Sequence, residues 1–402
     1  AMSPGTDGIM GTADDVQSQL ARYAYQYDGR GNMSEQNIYG SDVNADPLTT
    51  TYGYDLADRL TGVDYPGDAQ VAYTYDNEGN RLSETGVDPA DGTTQIDRTM
   101  QYNSINRLTQ ILDSIDPSNN TTFSYDENGN MTGKTIGAQT INYRYDVRNR
   151  LASTTDLVNS GEVVFNYDYN GMRASKNSPA GEIRYLYDDE SLLAEYGSEP
   201  AHADIRAYTY GNELVSVTNV QYDQTDPSYV QYTLKDSLGS TTAITNSQGS
   251  ADANRRYDAW GNITHSSGAA DLPVGYTGHY LDSETGLIYF GARYYDSSIG
   301  RFITQDPITG NIMNPPSLHR YLYAYANPMR YVDLDGYESV EFMPILAKHW
   351  NGVMSGLKGG MDNFIKEQTA QIADLGFWAV KQGLSEPFRA VAENNPDFQY
   401  KS

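Results

Sequence analysis

Asp306, Asp333 and Asp335, with Arg301 shortly before the first of them, are the side chains best suited to acid–base chemistry. Two carboxylates brought together cannot both ionise cheaply, so such a pair shares a proton. One member can then activate a water while the other protonates a leaving group or polarises a carbonyl. A guanidinium such as that of Arg301 can hold one of them charged or orient it. The same residues suit a plainer role, since Asp306-Pro307 and Asp335-Gly336 are both turn dipeptides. His202, His265, His279, His319 and His349 are scattered, with no two at ligand spacing, so no metal site and no cofactor are expected. The sequence has no cysteine, which excludes disulfides and thiolate metal sites.

What must position these residues is a repeat. From Tyr25 onward a unit recurs that reads Tyr-x-Tyr-Asp-x-x-Gly-Asn-Arg/Met, with an apolar residue just after. Tyr73-Thr74-Tyr75-Asp76-Asn77-Glu78-Gly79-Asn80-Arg81-Leu82 is the fullest copy. Others begin at Tyr25, Tyr52, Tyr125, Tyr143, Tyr167, Tyr185 and Tyr257, with a degenerate one at Tyr102. A spacing of roughly 20–27 residues is one supersecondary unit per repeat. Tyr-x-Tyr puts two rings on one face of a strand, and Asp with the following Gly-Asn supplies the positive-φ residues of a tight turn. One hairpin buries too little area to stand alone, so the units must pair edge to edge as a continuous antiparallel ribbon.

Composition sets further bounds. The formal charge of −26 argues against nucleic acid as a partner of the repeats and against an anionic membrane. The 35 tyrosines, against 9 Phe and 3 Trp, suit strands with a buried face whose edge still meets water. No apolar run is long enough for a membrane-spanning helix, and Ala1-Met2-Ser3-Pro4-Gly5 lacks a signal pattern. Residues 1–20 read as a polar leader; Asp7–Asp15 spaces its carboxylates loosely like a calcium loop or simply as a solvated acidic stretch. From residue 338 apolar residues recur at helical spacing, which predicts two or three helices in a tail that carries no recognisable catalytic set.

The units resemble the tyrosine–aspartate (YD) repeats of the Rhs proteins, of the C component of bacterial ABC toxin complexes and of animal teneurins. Asp236-Ser237-Leu238-Gly239-Ser240-Thr241, Tyr276–Leu287, Gly291–Asp296 and Gly300–Pro307 are similar to the Rhs-associated core domain that ends such arrays. The resemblance implies a mainly β fold: a ribbon over 21–235 spiralling into a shell, a core plug over 236–337, and the helical tail 338–402 as cargo. It also implies a single aspartic self-cleavage between Tyr337 and Glu338. Asp306 stands in the family's Arg-Phe-x-x-x-Asp-Pro motif and Asp333 in its closing motif. That closing motif usually reads Asp-Pro-x-Gly-Leu, whereas this chain has Asp333-Leu334-Asp335-Gly336-Tyr337. The implied setting is a secreted or delivered bacterial toxin with a secretion or toxin-complex component and an immunity protein as partners. A second reading of the tyrosine-rich ribbon is a cell-surface adhesion or carbohydrate-binding module without cargo, and the direction in which the rings face discriminates the two.

Overall fold

The computed structural model describes residues 21–40, 45–158, 161–188, 191–197, 205–211 and 213–341, with the backbone of two short paired strands at Met2–Ser3 and Val16–Gln17. The loop expected over Asp7–Asp15 and the helices expected beyond residue 341 lie outside the described residues. The first residues of the expected tail, Ser339–Glu341, form a strand.

From Arg22–Tyr27 to Ile263–Gly268, 22 strands pair antiparallel in chain order, and the sheet closes on itself as a barrel. Its last three strands, Thr241–Thr245, Ala251–Tyr257 and Ile263–Gly268, continue past the expected boundary at residue 235. Near the closure the Ser237 N–H donates to the Tyr25 hydroxyl at 2.9 Å.

The tyrosines of most repeats face inward, while Tyr27, Tyr169, Tyr222 and Tyr232 are exposed. Tyr73, Tyr143, Tyr185 and Tyr208 are buried, and their partners Tyr75, Tyr145, Tyr187 and Tyr210 pack on the same apolar clusters. Burying such a ring is worth about 1.5–3 kcal/mol, so each repeat adds a similar increment to one core. The second tyrosine also reaches back one repeat. Its hydroxyl donates to a backbone carbonyl at 2.7 Å from Tyr54 to Met33, 2.6 Å from Tyr75 to Leu60, and 2.7 Å from Tyr145 to Met131.

Each repeat turn is built on its aspartate, or on Asn103 in the degenerate copy. Asp76 Oδ1 accepts the Asn80 N–H at 2.8 Å, and Asp126 Oδ1 accepts that of Asn130 at 2.8 Å. The register slips by one residue at the second tyrosine, between Thr74 and Tyr75 and between Arg144 and Tyr145, so every unit carries a bulge that bends the strand. Only one slot per turn is left-handed. Gly79 fills it with φ 91° in one copy, and Asp58, Asn106 and Asn149 fill it at 61° in others, while the repeat aspartate serves as a cap. The next residue ties neighbouring turns together: Asn80 Nδ2 donates to Asp76 Oδ2 and to Asn106 Oδ1, both at 2.8 Å.

Residues after 268 fold onto this barrel. Strands Tyr280–Asp282, Leu287–Tyr289, Tyr294–Asp296 and Arg301–Phe302 form a small antiparallel sheet, and Tyr331–Asp333 pairs with Ser339–Glu341. Tyr280, Leu287, Tyr289 and Tyr294 share a core with Phe165 and Tyr185 of the barrel. Buried cations of the wall meet carboxylates of the segment: Arg173 and Lys176 hold Asp282, and Lys134 holds Asp296 at 2.7 Å. At the rim, Asn80 Oδ1 accepts from His319 Nε2 at 2.7 Å and from Arg301 Nη1 at 3.1 Å. Asn327 donates to Asn32 at 2.9 Å.

Asn80 therefore serves its own turn, the next turn and the C-terminal segment. Replacing it (Asn80→Ala) strands donors on Arg301 and His319 in a buried site, at a cost of about 1–3 kcal/mol for each unsatisfied group. A clear fall in thermal midpoint is expected, whereas the exposed neighbour variant Glu78→Gln should melt like the parent.

Candidate functional site

The candidate carboxylates converge on a hairpin. Asp333 ends its strand opposite Ser339, so residues 334–338 form the loop between the two strands. Asp333 is fully buried, and its Oδ1 accepts the Gly336 N–H at 2.7 Å. Asp335 is partly exposed; its Oδ1 caps the Tyr337 N–H at 2.9 Å, and its carbonyl accepts the Ala292 N–H at 2.9 Å. Gly336 sits at φ 80° against backbone of the small sheet, where a Cβ would meet the Phe290 carbonyl oxygen at 2.7 Å and Arg293 N at 2.9 Å. The loop therefore needs glycine for conformation and for space.

Asp306 arrives from the segment after Phe302. Its backbone exchanges bonds with Arg320: the Asp306 N–H donates to the Arg320 carbonyl at 2.8 Å, and Arg320 Nε donates back to the Asp306 carbonyl at 2.9 Å. The side chain is partly exposed and accepts the Ile308 N–H at 2.8 Å.

One guanidinium joins these parts. Arg293 Nη2 lies 2.9 Å from Asp333 Oδ2, 3.1 Å from Asp306 Oδ2 and 3.4 Å from the Tyr337 carbonyl oxygen. Its Nε donates to the Gly336 carbonyl, and its Cζ lies 3.7 Å from the Phe302 ring centroid. Arg301, expected beside the carboxylates, points elsewhere. It donates to Asn80 and, at 2.6 Å, to the Asn106 carbonyl, and it lies over the Tyr102 and Tyr321 rings. The structure thus brings Asp306, Asp333 and the Tyr337 carbonyl together around Arg293 and sets Arg301 against the barrel rim. Arg293 stands in the Gly291–Asp296 run, but nothing in its spacing separates it from Arg301.

Burial pushes both Asp306 and Asp333 above the ordinary carboxylate range, and the nearby Arg293 offsets only part of this. The same burial pulls the Arg293 guanidinium down, against the pull of Asp333 and Asp306. Beside the loop, His279 stacks on Phe290 with centroids 3.7 Å apart. The residue is half-buried, and burial depresses its pKa to about 4. Arg293, His279, Asp335 and Tyr337 line one cavity of about 480 Å³. A buried and a partly exposed carboxyl, a cation touching both, and a peptide carbonyl on the same nitrogen form a set able to polarise that carbonyl and move a proton beside it.

A closed barrel of inward-facing Tyr-x-Tyr strands joined by aspartate-capped turns, with a C-terminal segment bound to its rim, defines a YD-repeat protein. The chain belongs to the teneurin YD-shell family, whose model matches residues 16–329, so the closing loop follows the matched region. The resemblance read from the repeats is borne out. Relatives include the tRNA nuclease WapA of Bacillus subtilis, 30% identical over 273 residues that cover 66% of this chain and 11% of that protein. The double-stranded DNA deaminase toxin A of Burkholderia cenocepacia is 28% identical over 344 residues, covering 77% of this chain and 22% of that protein. The chain thus spans a small part of these relatives. In the crystal structure of TcdB2-TccC3-Cdc42, a like fold superposes with a TM-score of 0.62 at 20% identity, over 79% of this chain and 17% of that one.

The carboxyl ¹³C resonances of Asp306 and Asp333 are expected to titrate above those of exposed aspartates. A carboxyl whose folded pKa is raised weakens the fold at pH above that value. The lost stability returns as pH falls through the folded pKa and is complete below the ordinary aspartate value of about 4. Asp333→Asn should therefore flatten this part of the pH–stability curve, which a thermal-melt series across pH would show.

Proposed function

We propose that the chain forms the closing end of a toxin shell: a YD barrel stoppered by the residues from 269 to 337 that encloses a C-terminal segment and cuts once between Tyr337 and Glu338. The observation that carries the cleavage is the single nitrogen of Arg293 in contact with Asp306, Asp333 and the Tyr337 carbonyl. With one proton shared between the carboxylates, the pair and the guanidinium are together neutral, which is the state a dry site favours. Water adds to the Tyr337 carbonyl carbon as the ionised carboxylate takes its proton. Arg293 steadies the oxyanion, and the protonated carboxyl passes its proton to the Glu338 nitrogen as the C–N bond breaks. The products are a Tyr337 carboxylate and a new amine at Glu338. Asp335 holds the loop through the Tyr337 N–H.

Enclosure is supported by the inward tyrosines, which leave the aromatic faces packed on the core and unavailable to an external sugar. It is also supported by the buried ion pairs that bind the segment to the wall. Relatives named as a tRNA nuclease and a double-stranded DNA deaminase toxin favour a toxin setting, with the residues after 337 as cargo delivered to a target cell. The partners of this reading are a toxin-complex or secretion component and an immunity protein.

The test is intact mass and denaturing gel on the parent beside Asp306→Asn, Asp333→Asn and Arg293→Lys. The parent should appear as two fragments meeting at Tyr337–Glu338. Each Asp variant should slow the cut by about 100-fold or more, and the Arg variant by a similar factor. The parent rate should peak where one proton is shared and fall at both higher and lower pH. A parent that stays full length at every pH would remove the cleavage and leave a stopper without a cut.

A further inference from the structure

The chemistry above makes no use of His279, yet its setting is highly specific. Nε2 lies 3.1 Å from the Leu334 carbonyl oxygen, and Nδ1 lies 3.0 Å from Thr277 Oγ1. A carbonyl oxygen can only accept, so Nε2 carries the hydrogen, Nδ1 accepts, and the Thr277 hydroxyl donates. A single neutral tautomer satisfies both contacts, and the Phe290 ring holds the imidazole flat.

Both ends of this bridge matter. Leu334 lies between Asp333 and Asp335, and its own side chain is 52% exposed, so packing does little to hold it. Its carbonyl is the part that is held. At the other end Thr277 is buried in the left-handed region at φ 46°, and its N–H donates to Ser240 Oγ at 3.1 Å. The Ser240 N–H in turn donates to Asp236 Oδ1 at 2.9 Å. A continuous run of hydrogen bonds therefore links a capped turn of the barrel, through the imidazole, to the loop that carries the Tyr337–Glu338 peptide. Strain at Thr277 fits a segment whose conformation is dictated by what it must hold.

We infer that His279 is a positioning residue for the closing loop: a one-tautomer imidazole that fixes the Leu334 carbonyl and so aims Asp333 and the Tyr337 carbonyl at Arg293. Its effect on rate rests on the cleavage reading, whereas its effect on loop order does not. Displacing a reacting group by about 1 Å can cost on the order of 100-fold in rate, which sets the size of the effect.

The experiment compares the full chain with His279→Phe, which keeps a flat ring on Phe290 but loses both hydrogen bonds, and with His279→Gln, which retains a donor and an acceptor. Three readouts are taken: self-cleavage rate, hydrogen exchange at the Gly336 and Tyr337 amides in an Asp306→Asn background that keeps the loop intact, and the ¹⁵N spectrum of the imidazole. Expected are a cut about 100-fold slower in His279→Phe and within about tenfold of the parent in His279→Gln. Protection should be lost at those two amides while the barrel strands stay protected, and the spectrum should show Nε2 as the protonated nitrogen. Unchanged loop exchange in His279→Phe would overturn the inference, as would loss of protection spread evenly over the barrel, which marks a general structural role. If the parent never cuts, the cleavage reading fails on its own, and exchange with the tautomer still decides the role of His279.

Discussion

The barrel depends on what one carboxylate does at the end of each hairpin. The repeat aspartate accepts backbone N–H groups of its own turn, and this frees the side chain four residues on to look outward to the next turn. Asn32 reaches Asp58 at 2.8 Å, and Asn130 reaches Asn149 at 2.9 Å. Where arginine stands in that slot the reach is longer but the direction is the same: Arg150 bonds Asp146 and extends to the Asp168 carbonyl at 3.5 Å. The tyrosine hydroxyl makes the opposite link, back to the preceding repeat. Each neutral bond is worth only about 1 kcal/mol, but the same pair recurs around the sheet and fixes the register of neighbours. Without it, strands alternating tyrosine with small polar residues could slip by two residues at little cost.

Because these turns share one rim, the rim presents the same atoms again and again, and the C-terminal segment reads them. Asn32 binds Asn327, Asn80 binds Arg301 and His319, and the Gly129 carbonyl accepts the Tyr321 hydroxyl at 2.8 Å. The asparagines that tie turn to turn therefore also tie barrel to segment. Deeper in, an acidic chain spends several of its few cations on buried pairs: Lys134, Arg173 and Lys176 each meet a carboxylate of the segment. Buried pairs contribute little net stability against an apolar alternative, but a misplaced segment would leave them unpaired at a cost of about 3–5 kcal/mol. They specify where the segment sits more than they strengthen it.

Much of this is legible in the sequence, and the limits have physical causes. Tyr-x-Tyr gives strands with one aromatic face, Asp with Gly-Asn gives turns, and the spacing gives one hairpin per unit. Which residue is left-handed is less legible, because Gly, Asp and Asn all tolerate the conformation; Asp58, Asn106 and Asn149 show that the slot rather than the residue type decides. At the site, Asp306 and Asp333 can be picked out as carboxylates but their cation cannot. Arg293, just before Tyr294–Asp296, and Arg301, on the next strand of the same small sheet, lie eight residues apart, and only packing turns the first to the loop and the second to the rim. The tautomer of His279 depends on a carbonyl 55 residues away, which no local pattern announces.

The separation of the site residues along the chain also ties the site to the completed fold. Arg293 and Asp333 are 40 residues apart and are held together where the hairpin of Tyr331–Asp333 and Ser339–Glu341 packs beside the small sheet. That sheet is itself held by the barrel wall. In an unfolded chain the carboxylates are solvated, ordinary in pKa and remote from Tyr337. Only the assembled structure dries Asp333, raises both carboxyls and presents the Tyr337 carbonyl to Arg293. The proposed cleavage is therefore gated by folding without any separate switch, since the contacts of the closing hairpin are the ones that complete the site.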